Sequence, residues 1–287
     1  MRRITLEELH RFETLQRFFA KSPDGGSHIP MPNEAIPPSA ATVAHKYAYT
    51  YQWVDNLGGN SALNLWKPYV NRKLGEVFSL SQQWYIGGSG SNEHTAEVGW
   101  QNFSAKYGSE NSTLFIYWTA DAYRSTGSYN LDCAAFVQTN NNWHFGGRFS
   151  SYSTLGGTQK EIQIQYYFHN GNWWLALGGQ WVGYYPASIY RGGQLSRNAQ
   201  LIEYGGETVG STVWPPMGSG DWANQGFAYA AYQRDIFYRD TTGNAYWAVL
   251  NTVQPSIGCF TDAGPYWSST QGRGVYFYFG GPGGKSC

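Results

Sequence analysis

The segment Thr95-Ala96-Glu97-Val98-Gly99-Trp100 alternates at period two, with Ala96, Val98 and Trp100 on one side and Thr95, Glu97 and Gly99 on the other. Such spacing predicts a strand in a sheet packed on one face, with the carboxylate turned away from the core. The stretch Ile202-Glu203-Tyr204-Gly205-Gly206-Glu207-Thr208-Val209 reads the same way. Ile202 and Tyr204 would face the core, while Glu203 and Glu207 share the opposite face. Gly205 and Gly206 permit a kink or a close-lying substrate backbone. A carboxylate in such apolar surroundings needs a partner or a solvated cleft to ionise. Glu97 and Glu207 are therefore the candidate reactive residues, with Glu203 in reserve. Most of the remaining glutamates from His45 onward, among Glu76, Glu93, Glu110 and Glu161, lie in hydrophilic, turn-like sequence and are expected to face water. Spacing alone is equally compatible with Glu97 and Glu207 being solvated strand-face carboxylates.

Composition narrows the class. With 23 Tyr, 13 Trp, 15 Phe and 36 Gly, and only 13% charged residues, the 287-residue chain describes an all-β protein with many turns and aromatic cross-strand pairs. Its length supports a substantial core in one or two domains. The formal net charge is zero and no basic run occurs, so an electrostatic footprint for nucleic acid or an anionic membrane is missing. No transmembrane stretch is apparent. No His-Glu-x-x-His or Cys-x-x-Cys spacing is present, and His45, His94, His144 and His169 are scattered, so neither a metal nor any other cofactor is expected. The Gly280–Ser286 run is one residue short of a P-loop and precedes the chain end. Gly218-Ser219-Gly220 is a weak serine site, better read as a turn or substrate loop.

An ordered set of segments carries more weight than any one of them. Phe78-Ser-Leu-Ser-Gln-Gln-Trp84, Glu97-Val-Gly-Trp-Gln101, Phe115-Ile-Tyr-Trp-Thr-Ala-Asp-Ala-Tyr123, Thr126-Gly-Ser-Tyr-Asn-Leu-Asp-Cys133, Phe136-Val-Gln-Thr139, Gly171-Asn-Trp-Trp-Leu175, Gly205-Gly-Glu207, Met217-Gly-Ser-Gly220 and Tyr276-Phe-Tyr-Phe-Gly-Gly-Pro-Gly283 together resemble the neprosin family from about His45 to Cys287. The resemblance implies an antiparallel β-sandwich. It also implies a secreted, acid-acting glutamic endopeptidase, made as a zymogen, that cleaves on the carboxyl side of proline. Glu97 and Glu207 would then be the catalytic pair, acting on proline-rich peptides or proteins, with no nucleic-acid or membrane partner and the chain a monomer. Trp100, Trp118 and Tyr117 are candidate walls of a proline pocket, and Gln101 and Gln138 candidate oxyanion donors, though each is equally readable as a core residue or ordinary strand-face amide.

The N-terminus reads differently from the rest. Leu6, Leu9, Phe12, Leu15 and Phe19 recur at helical spacing, and Thr5 and Glu8 are placed as a capping box. Ser22-Pro-Asp-Gly-Gly26 and the Pro-rich run through Ile36-Pro-Pro-Ser-Ala-Ala41 then predict a turn and an extended linker. Under the resemblance, residues 1–44 are a pro-segment covering the catalytic sheet and 45–287 the catalytic sandwich, with Pro37 and Pro38 as candidate processing sites. The alternative is a permanently docked helix with an ordered linker. Met1-Arg2-Arg3 lacks the apolar core of a secretory signal, so secretion is an inference from the family.

Cys259 and Cys287 match the family's C-terminal disulfide. Cys133 is left single, since Ser128 stands where the family commonly has a second cysteine, and is expected to be a buried, inert thiol. Asn102 and Asn111 head glycosylation sequons. Two rival readings use the same glutamates: a non-catalytic carbohydrate-binding sandwich, whose aromatic sheet stacks sugar rings, and a glycoside hydrolase.

Overall fold

The computed structural model describes residues 4–12, 15–21, 44–253, 258–269, 273–285 and 287. Its strands are, in chain order, β1 (Ala44–Asn56), β2 (Gly58–Asn64), β3 (Glu76–Gly87), β4 (His94–Asn102), β5 (Thr113–Thr119), β6 (Ser128–Tyr129), β7 (Val137–Gln138) and β8 (Glu161–His169). They continue with β9 (Asn172–Leu177), β10 (Gln180–Pro186), β11 (Ala199–Gly210), β12 (Ala231–Arg239), β13 (Ala245–Trp247), β14 (Asn251–Val253), β15 (Thr261–Ser268) and β16 (Gly274–Gly280). Three short α-helices accompany them: α1 (Leu6–Leu9), α2 (Leu15–Phe19) and α3 (Ser104–Tyr107).

All ladders between these strands are antiparallel, and they form two sheets. One runs β14-β1-β11-β3-β4-β5-β6; the other runs β15-β16-β12-β2-β8-β9-β10-β7, with β13 added on β12. The expected all-β antiparallel sandwich is the observed architecture. Its core lies between the sheets and draws Ala96, Val98, Trp100, Ile116, Tyr85, Ile202 and Tyr204 from the first and Leu63, Ile164, Tyr166, Leu175, Phe277 and Phe279 from the second. The alternation read from the sequence is therefore satisfied: even-numbered residues of β4 enter the core, and Glu97 is left on the other face.

That outer face is covered rather than open. A second apolar cluster there joins Phe78, Leu80, Trp84, Ile86, Phe103, Phe115, Tyr117, Tyr123 and Tyr129 from the sandwich, with Phe12 of the N-terminal segment packed against it. The segment is not the single amphipathic helix that the spacing predicts. It forms two helical pieces of four and five residues, too short to hold without packing. Its contact with a sheet replaces the uninterrupted helical stripe by individual anchors, among them Phe18, 1% exposed. The capping box does form, with Thr5 N–H donating to Glu8 at 2.8 Å and Glu8 N–H to Thr5 Oγ1 at 3.2 Å. The Pro-rich linker, including Pro37 and Pro38, lies outside the described residues.

Cys259 and Cys287 are joined, their Cα atoms 5.5 Å apart, which ties the last residue to the body. Cys133 is only half-buried, and its Sγ touches Ser128 Oγ, the place from which a second cysteine would bridge it. Among the described residues, no helix is long and apolar enough to cross a membrane.

Candidate active site

Strand register decides what the outer face presents. Across the sheet, Tyr51, Glu203, Trp84, Glu97, Tyr117 and Tyr129 stand in one row. Two residues along, Tyr49, Gly205, Gln82, Gly99 and Phe115 form the next, and Tyr47, Glu207, Leu80, Gln101 and Thr113 the third. Residues directly opposite in an antiparallel pair share a face. Glu97 on β4 and Glu207 on β11 thus stand diagonally about Gln82 on the intervening β3. The middle row is nearly bare because Gly205 and Gly99 flank Gln82. A Cβ built on Gly99 would come within 1.9 Å of the Ser81 carbonyl oxygen, and one on Gly205 within 2.4 Å of that of Ala48. Gly206 has a different role: its missing Cβ leaves room for Met217 and Phe279 in the core.

Each glutamate is anchored through one oxygen. Glu97 Oε1 accepts from Tyr123 Oη at 2.7 Å and Thr95 Oγ1 at 2.8 Å. Glu207 Oε1 meets His45 Nδ1 at 2.5 Å. The second oxygens turn toward a shared space and meet one guest there. Lys21 Nζ lies 2.6 Å from Glu97 Oε2 and 3.2 Å from Glu207 Oε2, with all three side chains fully buried. Gln82 Nε2 reaches Glu207 Oε2 at 3.4 Å, and its Oε1 has no hydrogen-bond partner among the described residues. The same ammonium sits 5.6 Å from the Trp84 ring centroid and 5.5 Å from that of Tyr123, within cation–π range.

The Neprosin family profile matches residues 75–282. The chain belongs to the neprosin family. Two crystal structures of scytalido-glutamic peptidase, one with a transition state analog inhibitor and one with a peptide-based transition state analog, are also similar to this neprosin-family chain. Identity is 10% and 9%, each alignment covers 83% of this chain and 98% of the other, and the TM-score is 0.44 for both.

Electrostatics of the neprosin-family cleft follow from the single ammonium. Burial alone would push Glu207 up, but Lys21 and the His45 hydrogen bond outweigh it and hold the carboxyl below its usual 4.5. Burial would likewise lower Lys21, yet the charges of Glu207 and Glu97 keep it above its usual 10.5. Glu203 differs in every respect. It lies on the same face, fully buried, but neither of its oxygens has a hydrogen-bond partner among the described residues. Burial and repulsion from Glu93 and Glu97, only partly offset by Lys21, raise it well above the usual value.

Several residues singled out by the sequence pattern separate here by face. Tyr117 is on the outer face. Trp100 points into the sandwich core and donates to the Asn64 carbonyl at 2.9 Å, and Trp118 packs against that core. Gln138 belongs to the other sheet and braces a loop through the Asn140 and Trp143 carbonyls. Gln101 is on the outer face but donates to Tyr129 Oη at 3.1 Å. The expectation that most other glutamates face water is corrected: Glu76 and Glu93 are buried, and Glu161 pairs with Arg234 at 2.6 Å, leaving Glu110 exposed.

Lys21, Tyr123, Thr95, His45 and Gln82 were not picked out by sequence reasoning. Gln82 and Thr95 were recoverable, since period two puts both on the carboxylate face. Tyr123 was not, because a turn delivers it: Ala122 and Tyr123 both have positive φ, 54° and 62°, a costly conformation for residues with side chains. Asp121 braces the turn. Burial opposes its ionisation, but hydrogen bonds from Ser125 and Thr126 pull it down to about 2. Among the described residues no cluster of His, Cys, Asp and Glu is arranged to hold a metal ion.

Proposed function

We propose that this neprosin-family protein is a secreted glutamic endopeptidase that cuts on the carboxyl side of proline, and that residues 1–44 keep it latent. The observation that carries the reading is one ammonium bridging two buried carboxylates on the outer sheet face. Family membership supports the peptidase class.

With Lys21 gone, the carboxylates face one another across a partly dry cleft. Like charges so placed resist double ionisation, so over an acidic window the pair holds one proton. The ionised glutamate takes a proton from water attacking the scissile carbonyl. The protonated one polarises that carbonyl and then delivers its proton to the departing nitrogen. Tyr123 and Thr95 fix Glu97, and His45 fixes Glu207, so that in each the free oxygen points at the reacting atoms. The bare Gly205 and Gly99 positions admit a backbone close to Gln82. Trp84, Tyr117 and Tyr123 supply apolar walls on which a proline ring can rest.

Latency follows from the same charges. Glu207 is depressed while Lys21 is docked, so its contribution to docking is present above its ordinary range and is lost as pH falls through the depressed value. Lys21, raised, contributes below its ordinary value and loses that contribution only in strong alkali. Acid is therefore the releasing direction.

The test is cleavage of a proline-containing peptide from pH 2 to 8 by wild type, Glu97→Gln and Glu207→Gln after acid pre-incubation. Acid-limited cutting after proline that vanishes in both variants is expected. Folded, fully processed wild type that cuts nothing would overturn the peptidase reading, and glycans would be the next ligands to try.

A further inference from the structure

We propose that Lys106, Tyr129 and Tyr117 form a track that receives the main-chain carbonyls of the peptide substrate, and that Phe18–Lys21 occupies this track as a stand-in. The inference rests on the peptidase reading above.

A peptide lying on the face of a sheet cannot use the sheet's own backbone. The N–H and C=O groups of β3, β4 and β5 point sideways into the ladders. Any carbonyl of the ligand must then be met by side chains standing up from the face. The N-terminal segment finds three such donors. Lys106 Nζ donates to the Phe18 carbonyl at 2.8 Å, Tyr117 Oη to that of Phe19 at 3.5 Å, and Tyr129 Oη to that of Lys21 at 2.9 Å.

Two of the donors are held by the body of the protein, independently of the segment. Lys106 Nζ is fixed by Asp132 Oδ2 at 2.7 Å. The Tyr129 ring is fully buried and packs edge-on against Tyr117, centroids 4.8 Å apart. Gln101 Nε2 donates to the Tyr129 hydroxyl, which leaves that hydroxyl's own proton directed at the ligand carbonyl, and Tyr107 in turn donates to Gln101 at 3.3 Å. Besides bracing the body through Asp132 and Gln101, these donors present protons to carbonyls that belong to the N-terminal segment and not to the sandwich. Beside it, the Phe18 ring lies under the Lys106 ammonium, 3.7 Å from centroid to nitrogen. That contact marks a subsite for an aromatic side chain three residues before the position of Lys21.

The experiment uses the full chain with a specific protease site introduced at residues 34–39, cut after folding and freed of its nicked segment at low pH. A labelled peptide of residues 15–21 is then titrated by fluorescence anisotropy, and turnover of a proline-containing peptide is measured in parallel. Tyr129→Phe, which keeps the ring, should weaken the labelled peptide about tenfold and raise KM by a similar factor with kcat within about twofold. Tyr117→Phe, at the longer contact, should weaken it about twofold to threefold, and Phe18→Ala in the peptide tenfold or more. Failure of the peptide to bind, or binding unmoved by both tyrosine variants, overturns the track. So does a KM that ignores Tyr129→Phe while the labelled peptide weakens, because substrate would then lie elsewhere. Donor-dependent binding with no turnover in any variant keeps the track and overturns the peptidase reading instead.

Discussion

Lys21 and Lys106 are both buried where the N-terminal segment meets the sandwich, both pair with carboxylates and both touch aromatic rings, yet they are held in opposite ways. Lys106 meets Asp132, 26 residues along the same body, at 2.7 Å. Lys21 meets Glu97, 76 residues away, and Glu207, further still, from a segment the sandwich does not need in order to close its ladders. An ion pair with both members in the body is part of the fold. One whose cation arrives on a separate segment can be taken apart, and what it leaves behind is two carboxylates without the ammonium they shared. Under the proposed peptidase reading, the difference separates a structural charge from one that masks the reactive pair.

The sharpest contrast should be in turnover. Glu97→Gln and Glu207→Gln are expected to lose activity on the order of 10³ to 10⁴-fold, whereas Asp132→Asn should retain kcat within about tenfold; comparable losses at all three would erase the distinction between the pairs. Next in size is stability. Lys106→Met leaves Asp132 buried without its ammonium and should cost about 3 kcal/mol, read by calorimetry as a Tm lower by roughly 6 to 12 °C. Lys21→Met should do much less to the sandwich, with a Tm change under about 3 °C, because the segment can lift and let water reach Glu97 and Glu207. Its signature should instead be local, a roughly tenfold faster amide exchange across residues 15–21 at neutral pH. The smallest effect is the pH at which docking ends. Limited proteolysis of the segment should begin only below the usual carboxylate value of 4.5, since Glu207 is depressed while Lys21 is bound. Onset near neutrality would assign release to some other group.

How far the sequence reached differs between the parts of the site. Glu97 and Glu207 were legible because period-two alternation is a one-dimensional signal, and both strands keep it without a bulge between Thr95 and Gln101 or between Leu201 and Val209. The all-β class was legible from the wealth of aromatic residues and glycine, and the sandwich from the resemblance to the neprosin family. The capping box at Thr5 and Glu8 formed as read, being contained within one turn. The helix it begins did not continue as spaced, because Phe12 is positioned by the cluster it packs against and Phe18 packs on Phe12, and a four-residue helix has little stability of its own.

By itself, the sequence determined the fold class and the outward face of the two glutamates, since strand alternation is a property of local sequence. Tertiary structure alone decided that Lys21 lies between Glu97 and Glu207, that a left-handed turn brings Tyr123 onto Glu97, and that burial pushes Glu203 on the same face well above the usual carboxylate value. Those outcomes depend on which distant segments are brought together and on how much water they exclude. Spacing along a chain carries neither quantity.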